Sequence, residues 1–97
     1  MRRAARTDEN HGAIVNALRA LGASVQSLAM VGDDCPDLLV GFRGINLLME
    51  VKPGEAKDKR RRELRPTQAE WFAKWRGQVV KVDSVDSAIA ALRGKEA

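Results

Sequence analysis

Two apolar runs, Asp37-Leu-Leu-Val-Gly-Phe42 and Ile45-Asn-Leu-Leu-Met-Glu-Val-Lys52, flank the dipeptide Arg43-Gly44, and no other stretch constrains the fold as tightly. A short Gly-containing link between two strand-like runs predicts a β-hairpin. With Arg43-Gly44 at the centre of the turn, Phe42 faces Ile45, Val40 faces Leu47 and Leu38 faces Met49, giving one wholly apolar side. The other side carries Asp37 opposite Glu50, and Lys52 shares the face of Glu50 because side chains alternate along a strand. A three-residue turn would shift the register by one and send Asp37 and Glu50 to opposite faces.

Carboxylates opposed across a strand pair repel, so something must hold them. A hard divalent cation such as Mg²⁺ would do so, since it takes oxygen ligands from one or two carboxylates and completes its shell with water and substrate phosphate. The simpler alternative is that Lys52 neutralises both acids in a surface salt-bridge cluster contributing about 0–1 kcal/mol.

Around the hairpin the chain reads as α-β-β-β-α-β-α. Thr7 is a plausible N-cap with Asp8 and Glu9 in the first turn, and Ile14, Val15, Leu18 and Leu21 make the apolar face of a helix stopped by Gly22. Residues 23–30 are compatible with a strand, and Gly32-Asp33-Asp34-Cys35-Pro36 with a turn. After Pro53-Gly54, Thr67 and Glu70 have the spacing of a capping box, opening a helix with Trp71, Phe72 and Trp75 on one face and its end at Gly77. A short strand over 78–82 precedes a last helix capped by Ser84, with Val85, Ala88, Ile89 and Leu92 as its apolar face. The expected architecture is a single α/β domain over residues 1–97, helices packed on a small mixed sheet.

Charge adds a partner. The 97 residues carry 17 Lys and Arg against 13 Asp and Glu, a net +4. Residues 52–65 hold seven basic and three acidic side chains and so contain the whole excess. Overlapping this stretch is a basic loop, residues 53–66, and Arg2, Arg3 and Arg6 form a second basic segment. Such a loop suits a polyanion such as nucleic acid, or is simply a solvated charge run. No run of about 18 apolar residues is present, and the arginines near the start are not followed by an apolar signal segment. The expectation is a cytoplasmic protein without a membrane partner. A chain this short buries only about 60–68% of its unfolded surface, which favours a homodimer.

Pro36-Asp37 and Glu50-Val51-Lys52 form a Pro-Asp…Glu-x-Lys pattern, and the sequence resembles the PD-(D/E)xK nuclease superfamily. Within it, "CPDLLVGFRGINLLMEVKPG" followed by "RPTQAEWFAKWRGQVVKVDSVDSAIAAL" is similar to the VRR-NUC family, particularly its stand-alone phage-type members. The resemblance runs from the first helix to the last. It implies a restriction-endonuclease-like core and a Mg²⁺- or Mn²⁺-dependent endonuclease that hydrolyses DNA to leave a 5′ phosphate, acting on branched DNA such as four-way (Holliday) junctions. By the same resemblance Asp37, Glu50 and the Val51 carbonyl are metal ligands, Lys52 orients the attacking water, Gln68 lies beside the site, and Glu9 reaches it from the first helix. Lys57, Lys59, Arg60, Arg61, Arg62 and Arg65 would hold the DNA backbone and read shape rather than sequence. The host would be a bacterium or a phage-infected cell. The sequence departs from the family in its longer, more basic connection between Lys52 and Gln68, which bears on substrate preference. The alternative is a nucleic-acid-binding module of the same fold that does not cleave.

Other residues carry less. His11 has no Cys or His partners near it, and the single cysteine, Cys35, has neither a disulfide partner nor an activating base. Trp71, Phe72 and Trp75 have the spacing of core or dimer-interface residues rather than of a base-stacking set, and the scattered glycines form no phosphate-binding loop.

Overall fold

Arg43 and Gly44 both take positive φ, 52° and 83°, and close the two-residue turn that the hairpin requires. The strands they join are β2 (Leu38–Phe42) and β3 (Ile45–Val51), paired in the expected register with Leu38 opposite Met49 and Phe42 opposite Ile45. These features come from a computed structural model, which describes residues 5–54 and 63–94, with side chains in the first helix from Asn10 onward. Among the described residues, the remaining elements are α1 (Ala5–Ala20), β1 (Ser24–Ser27), α2 (Pro66–Lys74), β4 (Val79–Val82) and α3 (Val85–Gly94). The sheet order is β1-β2-β3-β4, antiparallel except for the parallel pair β3–β4. That parallel step is possible because α2 supplies the crossover.

The strand alternation sorts residues to two faces. Leu38, Val40, Leu47, Met49 and Val51 face inward and bury with Ile14 and Leu18 of α1 and Ala88 and Leu92 of α3. Val15, Leu21, Val85 and Ile89 pack around this core, so both predicted apolar helix faces meet the same side of the sheet. Leu39, Asn46, Leu48 and Glu50 alternate to the other side, where α2 lies.

Local chemistry explains most boundaries. At the end of α1 the Ala23 N–H donates to the Leu18 carbonyl at 3.0 Å and the Gly22 N–H to the Arg19 carbonyl at 2.9 Å, with Gly22 at φ 99°. This is the Schellman arrangement that glycine permits. Ser84 caps α3 through Oγ, which accepts from the Ser87 N–H, while Ser87 Oγ accepts from the Ser84 N–H, both at 3.0 Å.

Four expectations change. The first helix starts at Ala5, placing Thr7 inside it rather than at its cap; Ala5 and Arg6 are good helix formers that extend it. The second helix starts at Pro66 with Arg65 as N-cap, so Thr67 and Glu70 form no capping box. Proline at the first helical position loses no hydrogen bond and holds the preceding residue extended, as Arg65 is at φ −64°, ψ 157°. The same helix ends at Lys74, and Trp75, 46% exposed, lies outside the core. The aromatic side chains of α2 therefore do not pack into the main core, because both core helices occupy the opposite face of the sheet. The strand expected over 23–30 is shortened to Ser24–Ser27, since the chain turns where the Val31 N–H donates to the Leu28 carbonyl. Among the described residues, no helix is long and apolar enough to cross a membrane.

Candidate active site

The hairpin carries the site at the end away from its turn. Leu28 N–H donates to the Asp37 carbonyl at 2.8 Å, extending the β1–β2 pairing by one step and fixing Asp37 just ahead of β2. The Asp37 side chain turns towards β3, where Oδ2 accepts the Val51 N–H at 2.7 Å. Glu50 and Lys52 follow on alternate positions of β3 and its extension, and both are buried, at 6% and 7% exposure. The Lys52 N–H donates to the Val82 carbonyl at 2.8 Å, so β4 continues to hold the backbone beyond the end of β3.

Gln68 joins these groups. Its Oε1 accepts from Lys52 Nζ at 2.8 Å and from the Arg65 N–H at 2.9 Å, and its Nε2 donates to Glu50 Oε2 at 3.0 Å. Lys52 Nζ also stands 3.6 Å from Glu50 Oε2. One buried amide thus closes the first turn of α2, since Gln68 is its third residue, and fixes the relative positions of acid and ammonium. The reciprocal half of a capping box is missing because a guanidinium has no acceptor to offer.

Burial raises the Glu50 carboxyl from its usual 4.5 to about 7, with the nearby Asp37 charge adding to the effect and Lys52 and Gln68 only partly opposing it. Burial, then Glu50 and Asp37, raises the thiol of Cys35 as well, which keeps it protonated and argues against thiolate chemistry. Both shifts report the same condition: two acids share a partly dry site with one ammonium. Among the described residues no group of three or more His, Cys, Asp or Glu assembles. The donors available to a metal are therefore two carboxylates and backbone oxygen, a hard-oxygen set that fits Mg²⁺ or Mn²⁺ with water and phosphate completing the shell. The repulsion that raises Glu50 is what a divalent cation would relieve.

A cleft of about 960 Å³ opens over these groups, bounded on the far side by Asp34, Arg65 and Pro66. Asp34 Oδ1 accepts from Thr67 Oγ1 at 3.2 Å and from Arg65 at 3.5 Å, tying the turn before β2 to the start of α2.

Of the residues named from sequence, the fold brings Asp37, Glu50, Val51, Lys52 and Gln68 together and puts Arg65 at the rim. Lys57, Lys59, Arg60, Arg61 and Arg62, as well as the Glu9 side chain, lie outside the described residues. Asn10 was missed: its Nδ2 donates to the Lys52 carbonyl at 3.0 Å and reaches the Asp83 carbonyl at 3.5 Å. The signal was present, since Asn10, Ile14 and Leu18 lie at i, i+4 and i+8, making Asn10 a polar residue on the buried stripe of α1. Asp34 gave no such signal, because its partners are more than thirty residues away in sequence.

No family sequence model matches the chain, and no curated protein matches it. A solved structure described as a VRR-NUC domain does, with a TM-score of 0.70 and 25% identity over 91% of this chain and 95% of that one. That likeness supports the VRR-NUC resemblance carried by the sequence motifs. Among the described residues, a four-stranded mixed sheet flanked by three helices makes the restriction-endonuclease-like fold, and a VRR-NUC domain is a nuclease domain of the PD-(D/E)xK type, which implies DNA as partner. Near-complete coverage of both chains leaves no large segment of the VRR-NUC fold unmatched. Asp37, Glu50 and Lys52 of the Pro-Asp…Glu-x-Lys pattern line the cleft of this fold.

Proposed function

We propose that the protein is a divalent-metal-dependent endonuclease hydrolysing DNA phosphodiester bonds, structure-specific for branched DNA such as four-way junctions and working as a homodimer. The observation that carries the metal-dependent chemistry is the convergence of Asp37 and Glu50 with the Gln68-anchored Lys52 at one end of the hairpin. Asp37, Glu50 and the Val51 carbonyl would hold Mg²⁺ or Mn²⁺, with Glu9 a further candidate from α1. Such an ion acidifies water and neutralises phosphate charge when bound. Lys52, held by Gln68 with its ammonium beside Glu50, orients the water for in-line attack and offsets charge on the phosphate. Glu50 must lose its proton to act as a ligand. Arg65, together with Lys57, Lys59, Arg60, Arg61 and Arg62, holds the backbone on either side of the scissile bond. Branched DNA and the dimer come from the family likeness and from symmetry, since paired nicks across a junction need two sites.

Incubating the protein with labelled four-way junction, flap and linear duplex, with Mg²⁺, Mn²⁺ or EDTA, tests this. The expected result is metal-dependent cleavage favouring the junction, lost in Glu50→Ala and Lys52→Ala. Metal-independent, salt-sensitive binding without cleavage of any substrate would instead establish the non-cleaving module.

A further inference from the structure

The outer face of the sheet is only partly covered. Between it and α2 runs a second groove of about 560 Å³, floored by Leu39 and Leu48 and walled by Trp71 and Trp75. It meets the cleft at Gly32 and Cys35, which line both. The two indoles are stacked at 4.6 Å between centroids and 14° between planes, so one face of Trp75 is supported while nearly half of the residue stays open to solvent. Leu39 and Val31 are exposed on the same groove, at 36% and 58%. At its far end the Gln78 side chain donates to the Asn46 main-chain carbonyl at 3.0 Å, and the exposed Asn46 side chain also faces the groove.

We propose that this groove receives an unpaired nucleobase of the bound DNA, stacked on Trp75, so that the enzyme acts on strands with an extruded or single-stranded nucleotide beside the scissile phosphate. This rests on the nuclease reading of the adjoining cleft and adds a specificity-determining residue to it. Charge selects the base over the backbone: among the described residues the groove's one charged lining residue is Asp33, which would repel a phosphate but not a neutral ring. Planarity selects a base over an aliphatic side chain, because an indole already stacked on a second indole presents a rigid platform. Continuity with the cleft supplies the occupant, since a strand whose phosphate lies at Asp37 and Glu50 has its neighbouring base next to Gly32 and Cys35. A base paired within a duplex cannot enter, which gives branched or frayed DNA its advantage.

The two tryptophans are all that the chain contains, so they report directly. Titrating the wild-type protein in EDTA with a short single-stranded oligodeoxynucleotide should give saturable quenching of tryptophan emission, and a blunt duplex of equal length much less. By anisotropy of a labelled single strand, Trp75→Leu should bind about 5- to 150-fold more weakly, while Trp75→Phe, which keeps a ring, should recover most of the affinity. Circular dichroism checks that the variants fold. Equal quenching by duplex, no quenching by either, or unchanged binding by Trp75→Leu would overturn the proposal. So would sedimentation showing that Trp75→Leu converts a dimer to monomers, because the groove would then be covered by a second copy. None of these measurements requires cleavage, so failure of the nuclease activity and failure of the base site are separately visible.

Discussion

Glu50 holds its proton up to about pH 7, where an exposed glutamate has released it near 4.5. Between those values the folded chain binds a proton that the unfolded chain has lost, so stability falls as pH rises through this window. The contribution is full below pH 4.5 and gone above about 7, an effect of roughly 3 kcal/mol at most. In EDTA the urea midpoint should drop from pH 4.5 to 8, and Glu50→Gln should flatten that dependence. Divalent metal competes with the same proton, so Mg²⁺ or Mn²⁺ should raise the melting temperature more at pH 8 than at pH 5. Asn10 makes a second residue-scale case. Removing its bond to the Lys52 carbonyl in Asn10→Ala should cost about 1 kcal/mol and lower kcat about 10- to 100-fold, with KM for DNA little changed. An equal loss in KM would mean that Asn10 serves binding rather than positioning of Lys52.

At the scale of elements, the hairpin was legible because its rules are local. Arg43-Gly44 supplies two positive φ values at adjacent positions, and the turn then dictates every pair up to Leu38–Met49. The start of α2 was not. Thr67 and Glu70 fit a capping box, but Pro66 fits the first helical position better, and Gln68 has buried partners on β3 that no local rule contains. The aromatic stripe of α2, read as core or dimer interface, does not join the main core: spacing shows that Trp71 and Trp75 share a face, not what that face meets. The segment after β3 is similarly controlled from a distance. A Cβ placed on Gly54 would run into the Asp83 carbonyl oxygen, a backbone atom that cannot swing aside. Gly54→Ala should therefore push the Lys52–Gly54 segment off β4, lowering stability by about 1–3 kcal/mol and cleavage with it. Thermal melts and the junction assay on one preparation check both. Gly44→Ala, where φ is 83° but no atom lies within 4 Å, should cost only about 1 kcal/mol and leave the site intact.

For the whole molecule, the layout separates folding from function. Helices α1 and α3 bury one face of the sheet, which leaves the other for the acids, the cleft and the α2 groove. In sequence, the excess of +4 lies in residues 52–65, directly after the strand that carries Glu50. Replacing Arg60, Arg61 and Arg62 with glutamine should therefore weaken DNA binding for all sequences alike. The slope of log K against log salt should become shallower by up to about 0.9 for each phosphate contact removed on duplex DNA. A loss confined to certain base sequences would mean that the loop reads bases rather than backbone.

The hairpin, the apolar faces of α1 and α3 and the place of the basic excess were readable from the chain alone, and the two-residue turn then selected the register that puts Asp37 opposite Glu50. All of these follow from neighbours in the chain or from strand and helix periods. Three-dimensional packing was needed for Gln68 to bridge Lys52 and Glu50, for Asn10 to hold the Lys52 backbone, and for the tryptophans to face a groove instead of the core. Those contacts join residues 16 to 42 positions apart or depend on which sheet face a helix covers, and no short-range pattern encodes either. The raised proton affinity of Glu50 belongs to the same class, because it comes from burial and a cross-strand charge that exist only once the chain has folded.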